Sequence, residues 1–173
     1  LLANSTTYTP AGAAALTAGS YVYYAECADG NGCVSARTAF TLTVDGLPAT
    51  PSIADETICV GDDAALIAVP AGETYAVTGT ASTVSGITSA NGITDTDLDN
   101  AGLDNSAAGD YVVTVVSTEI STGCESAAGS FTVTVSPQPV VSASMGSTIC
   151  DGSDVTLTAS SVPADAATIY TWY

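Results

Sequence analysis

Phe131-Thr132-Val133-Thr134-Val135 decides the class of this chain. Apolar and hydroxylated side chains alternate along it, which is the period of a strand with one buried and one wet face. Residues 21–26, 40–44, 64–69, 111–116 and 155–159 are similar short runs rich in Val, Thr, Tyr and Phe. Turn formers separate them: Asp29-Gly30-Asn31-Gly32, Asp45-Gly46, Gly61-Asp62-Asp63, Ala108-Gly109-Asp110 and Asp151-Gly152-Ser153-Asp154. No segment sustains a 3.6-residue period; residues 13–16 read as a loop or a single helical turn. The predicted class is all-β.

Working outward, the motifs around this run occur twice. Gly123-Cys124 with Ser126, Ala127, Phe131, Thr132 and Val135 repeats Gly32-Cys33 with Ser35, Ala36, Phe40, Thr41 and Val44. Ala108-Gly109-Asp110-Tyr111 repeats Ala18-Gly19-Ser20-Tyr21. Thr57-Ile58-Cys59-Val60-Gly61-Asp62-Asp63 with Leu66 returns as Thr148-Ile149-Cys150-Asp151-Gly152-Ser153-Asp154 with Leu157. Each closing strand leads into a Pro-bearing connector, Leu47-Pro48-Ala49-Thr50-Pro51 or Ser136-Pro137-Gln138-Pro139, which reads as a short, stiff linker. This period of about 90 residues parses the chain into a back half at 1–47, a whole unit at 48–137 and a front half at 138–173. The expectation is a stretch of two repeat lengths whose halves are completed by a neighbouring copy or by continuing chain.

Composition excludes many activities. Among 173 residues there are 18 acidic side chains, one basic one (Arg37) and no His, for a net charge of −17. A single Arg cannot supply the basic face that nucleic acid needs, and anionic membranes repel such a chain. Imidazole or Lys bases and Arg clamps are missing, so catalysis lacks its usual groups. A carboxylate pair for glycoside chemistry is conceivable, but few rings are present to line a cleft. The reading is a structural or binding protein without enzymatic activity. Its hydrophobic fraction of 46% is mostly Ala and Val, and no apolar run reaches the roughly 18 residues of a spanning helix. Five Cys in a chain with 11% charged residues favour an oxidising, extracytoplasmic setting. The chain opens at Leu1-Leu2 without a basic leader, and Asn4-Ser5-Thr6 is a formal glycosylation sequon.

Short alternating strands in a repeat of this length fit tandem immunoglobulin-like β-sandwich repeats. Tyr21 and Tyr111 then take the place of the tyrosine corner, and Trp172 that of the core Trp on the third strand. A sugar platform is the competing role for Trp172.

In that topology Cys59 and Cys150 lie where the chain leaves a sandwich, and Cys33 and Cys124 in the hairpin at the opposite end. A strand of about seven residues spans roughly 23 Å, whereas a disulfide needs Cα atoms within about 7 Å. The expectation is bonds between successive units, Cys59 to a Cys33-type residue and Cys150 to a Cys124-type residue. An intradomain bond between Cys59 and Cys124 stays open as the alternative. Cys27 pairs across its hairpin with Cys33 or stays free.

The quoted motifs, with Val155-Thr156-Leu157-Thr158-Ala159, Tyr170-Thr171-Trp172-Tyr173, Thr7-Tyr8-Thr9-Pro10 and Asn31-Gly32-Cys33-Val34-Ser35-Ala36-Arg37, resemble the tandem immunoglobulin-like repeats of very large secreted Bacteroidota surface proteins. These include gliding-motility adhesins and proteins exported with a C-terminal sorting domain. The resemblance covers most of 1–47 and 138–173. It is looser over 70–107, where Val77 stands in place of the family's Trp. It implies an exported, cell-surface rod or filament. A carbohydrate- or ligand-binding module of a secreted enzyme is the rival function.

The acidic run Asp95-Thr96-Asp97-Leu98-Asp99, continued by Asp104, alternates carboxylates as calcium loops do. It departs from the EF-hand pattern at Asn100 and Ser106. Two readings stand: a Ca²⁺ site, or a solvated loop and strand edge with no cofactor.

Overall fold

The computed structural model describes residues 7–8, 16–144, 146, 148–162 and 168–173. Asn4-Ser5-Thr6 and most of 13–16 lie outside them. The described chain is β-rich, with nine strands and one short helix. The strands are β1 (Gly19–Ala25), β2 (Thr38–Val44), β3 (Glu56–Cys59), β4 (Glu73–Thr78), β5 (Thr83–Thr88), β6 (Gly109–Glu119), β7 (Gly129–Ser136), β8 (Val140–Ala143) and β9 (Ala159–Val162). Helix α1 is Asp95–Ala101. No described helix is long and apolar enough to cross a membrane.

The middle of the chain forms one sheet in the order β3-β7-β6-β4-β5. The quoted run builds its centre. In β7, Phe131, Val133 and Val135 point inward and are nearly fully buried, while Thr132 and Thr134 between them are half-buried. In β6, Val113, Val115 and Ser117 take the same inward positions. The two strands pair antiparallel, Tyr111 opposite Val133 and Val113 opposite Phe131. Strand β3 pairs with β7 in parallel, setting Ile58 opposite Val135 and Cys59 opposite Ser136.

The inner face is covered by Val69, Ile93, Leu98, Ala101 and Leu103, all buried. This covering layer consists of α1 and two segments joined by a single bridge between Ile67 and Ile93. The strand expected at 64–69 is absent because its amides have other partners. The Ala64 N–H donates to Asp95 and the Ala65 N–H to both carboxylate oxygens of Glu56, leaving neither for a ladder. Only Ala159 of the strand expected at 155–159 enters a sheet, as the first residue of β9.

The expected acidic loop is a helix. Thr94 is its N-cap, and the Thr94 N–H donates to the Asp97 carboxylate at 2.9 Å, closing a capping box. Gly102 ends it in the left-handed conformation, φ 111°, where a side chain would be strained.

The middle unit is entered and left at opposite poles. The Pro51 carbonyl packs so closely on Gly129 that a Cβ there would overlap it, which fixes the entry beside the start of β7. The exit follows Ser136, where the Val60 N–H donates to the Ser136 carbonyl and the Gln138 amide donates to the Val60 carbonyl. The eight residues of β7 put roughly 23 Å between these poles.

Candidate functional site

The hairpin of β1 and β2 copies that of β6 and β7 pair by pair. Gly19 faces Val44, Tyr21 faces Leu42 and Tyr23 faces Phe40; Gly109 faces Val135, Tyr111 faces Val133 and Val113 faces Phe131. Beyond the strands the match continues. The Asp29 N–H donates to the Cys33 carbonyl as the Glu119 N–H does to that of Cys124, both at 3.0 Å. The Cys27 N–H donates to Ser35 Oγ and the Ser117 N–H to Ser126 Oγ, again both at 3.0 Å. The Tyr21 hydroxyl donates to the Thr17 carbonyl and the Tyr111 hydroxyl to that of Ala107, each four residues upstream.

What differs is the covering. Phe131 is 3% exposed, and its counterpart Phe40 is 52% exposed. Val133 and Val135 are buried, whereas Leu42 and Val44 are half-buried. Tyr23 stacks on Phe40 with ring centroids 5.4 Å apart and meets Tyr8 edge-on at 6.4 Å, a local cover for a face over which the described residues place no second layer. Strand β6 is flanked by β4, and β7 by β3; among the described residues β1 and β2 pair only with each other.

Residues 138–173 likewise expose apolar side chains among the described residues. Ile149 is 48% exposed where Ile58 is 8%. Aligning Tyr170-Thr171-Trp172 with Tyr75-Ala76-Val77 sets half-exposed Trp172 against fully buried Val77. Among the described residues Trp172 is exposed. It borders a hollow of about 150 Å³ with Val141, Ala143, Ala159, Ile169 and Tyr170. Among the described residues β8 and β9 pair only with each other, and Val140, Val141 and Val162 stand exposed.

All five cysteines are free thiols. Cys59 sits opposite Ser136 at the exit pole. Cys124 lies past Gly129 at the entry pole, in the hairpin whose Glu119 amide it accepts. The two are therefore at opposite ends of β7, against a bond between them within one unit. Cys27 is ladder partner to Ser35 and Cys33 to Asp29, so these thiols stand diagonal to each other, about 7–8 Å apart at the Cα atoms for such a pair. Sequence reasoning missed the environment of Cys27. Its counterpart Ser117 is fully buried and its hydroxyl donates to the Glu73 carboxylate on β4. The signal was the shared Ser35 and Ser126 hydrogen bond, which places the two positions in register.

The acidic run does not converge on one point. Asp97 caps α1, Asp95 accepts from the Ala64 amide, and Asp104 accepts from the Ser106 amide and hydroxyl. Those Ser106 bonds hold the Asp104 carboxyl below its usual range. Partial burial, and then the charges of Asp95, Asp104 and Asp63, push Asp99 up. Among the described residues no group of three or more acidic or Cys side chains is placed to hold a metal ion. Arg37, the one basic residue, pairs with Glu26 at 2.7 Å on the surface of the first hairpin. Compared with family models and with curated proteins, the chain has no match.

Proposed function

We propose that the chain is a structural repeat of an extracellular filament or cell-surface adhesin, a head-to-tail rod of tandem immunoglobulin-like sandwiches. The front half at 138–173 and a hairpin of the β1–β2 kind, supplied by a neighbouring copy or by continuing chain, close one sandwich between them. The observation that carries this reading is the pair Phe40 and Phe131, alike in register and opposite in burial.

Several features support it. The run β7-β6-β4-β5 has the G-F-C-C′ order of immunoglobulin variable-type sheets. The missing layer for β1 and β2 has the pattern of 48–108, which covers the equivalent face in the middle unit, and 138–173 repeats the opening of that pattern. Entry and exit at opposite poles deliver the two halves to opposite ends, so closure between them within one copy is impeded. A contact between unlike surfaces that does not close on itself propagates into a filament. The net charge of −17 works against association at low salt, so screening or divalent cations favour the polymer. The paucity of Lys and Arg removes trypsin-type cleavage sites, which suits an exposed location.

Sedimentation of the reduced chain over a concentration series, with electron microscopy of the concentrated sample, tests this reading. Polymers of one sandwich in width are expected, and a single 17.0 kDa species at all concentrations contradicts it. A glycan array separates the rival, a carbohydrate-binding module using Trp172 and its hollow: specific binding without polymers favours that module.

A further inference from the structure

We propose that Cys33, Cys59, Cys124 and Cys150 form two disulfides at every joint between copies, Cys59 of one copy with Cys33 of the next and Cys150 of one copy with Cys124 of the next. This rests on the completion of one sandwich by two copies. Along such a rod, the complete unit of one copy is followed by the shared sandwich and then by the complete unit of the next copy. The exit pole of the first carries Cys59, and the entry pole of the shared sandwich carries Cys33 of the next copy. The exit pole of the shared sandwich carries Cys150, and the complete unit after it presents Cys124.

The reach of the chain fits these pairs. Val115 faces Gly129, Thr118 bridges Glu125 and the Glu119 amide meets Cys124, so the hairpin climbs four residues beyond Gly129. That is roughly 13 Å, directed back toward the preceding unit. The connector between units runs from Asp45, the counterpart of Ser136, to Pro51 against Gly129. Its six residues extend at most about 20 Å. A fully extended connector leaves the hairpin cysteine about 7 Å along the axis from the level of the preceding Cys59-type residue, and a connector spanning about 13 Å brings the two level. Within one unit the arm that feeds β7 is one strand spacing of about 4.8 Å from the line of β3, so units stacked in register bring the two cysteines side by side. Disulfides join Cα atoms about 4.4–6.8 Å apart. Within one unit the same two cysteines are separated by more than about 30 Å along the strands. Cys33, Cys59 and Cys150 are exposed and Cys124 is half-exposed, so the thiols are open to exchange.

Each bond forms by thiol–disulfide exchange with a small-molecule disulfide. Two cysteine thiols lose two protons and two electrons, and one oxidised glutathione becomes two reduced glutathiones. Cys27 takes no part, because its counterpart faces β4 inside the closed sandwich; it stays a thiol, shielded once the sandwich closes.

The test mixes ordinary and ¹⁵N-labelled chain under reducing conditions, follows assembly by sedimentation, and then exchanges into oxidised glutathione for mass mapping. The expected result is a ladder of 17.0 kDa multiples on a denaturing, non-reducing gel, collapsing on reduction. Peptides joining Cys33 to Cys59 and Cys124 to Cys150 should carry one light and one heavy partner in about half of all cases. Cys59→Ser with Cys150→Ser should abolish the ladder and leave native sedimentation unchanged. Polymers without these cross-links overturn the staples and leave the shared sandwich standing. A chain that stays monomeric in both redox states overturns both, and an all-light or all-heavy bond between Cys59 and Cys124 overturns the staples alone.

Discussion

The first hairpin and the central hairpin share a register, a tyrosine anchor and a serine clasp, yet only one has a core. Local pattern therefore suffices to pair two strands and set their turn, while burial depends on what lies across the open face. In the middle unit that cover comes from 48–108. In the first hairpin the described residues supply only Tyr8, edge-on to Tyr23, and Phe40 is left exposed.

The sharpest way to break the comparison is to truncate its two phenylalanines. Phe131→Ala should destabilise the middle unit by about 3–5 kcal/mol in urea unfolding, since it empties a packed site. Phe40→Ala should leave that unfolding transition in place and raise the concentration needed for assembly by at least about a hundredfold, read by sedimentation. Equal effects of the two on monomer stability would remove the distinction between them.

Next in size are the serine clasps. Ser126→Ala leaves the buried Ser117 amide without its acceptor and should cost about 1–3 kcal/mol by the same unfolding assay. Ser35→Ala exposes the Cys27 amide to water and should have no measurable effect on the dispersed chain. Thr94→Ala, which undoes the cap of α1, should cost about 1 kcal/mol.

The smallest effect concerns charge. Asp99 binds its proton more readily in the folded state than in the unfolded chain. Its contribution to stability thus rises as pH falls from neutral through its raised folded pKa. Asp104 has the opposite sign: its contribution is present above the unfolded value and is lost as pH falls through the lowered folded one. Asp99→Asn should stabilise the neutral-pH fold by less than about 0.5 kcal/mol and flatten the acid side of a thermal-melting pH series. A loss of stability in that variant would contradict the crowding of carboxylates around it.

Much of this architecture is legible in the residues. The alternation in Phe131-Thr132-Val133-Thr134-Val135 and the Gly-Asp-Tyr opening of β6 locate the central pair, because there each local preference agrees with burial. Helix α1 was readable as well: Thr94-Asp95-Thr96-Asp97 is a capping box and Gly102 a stop, but four Asp residues drew attention to metal chemistry. The segment 64–69 is not legible in the sequence, since the Ala64 amide is taken by Asp95, 31 residues away, and the Ala65 amide by Glu56. Strands β4 and β5 depend on pairing with β6 and with each other, and short runs carry little periodic signal. The cysteine poles needed one fact beyond spacing, the parallel pairing of β3 with β7.

Trp172, the single tryptophan of the chain, reports most directly on whether two copies close one sandwich. Its fluorescence, read with acrylamide quenching across a dilution series of the reduced chain, should be red-shifted and fully quenchable when dilute. On concentration it should become blue-shifted and protected, in step with sedimenting polymer, and Phe40→Ala should hold it in the dilute state. Emission that stays quenchable at every concentration, or that is already shielded in the monomer, would contradict the shared sandwich.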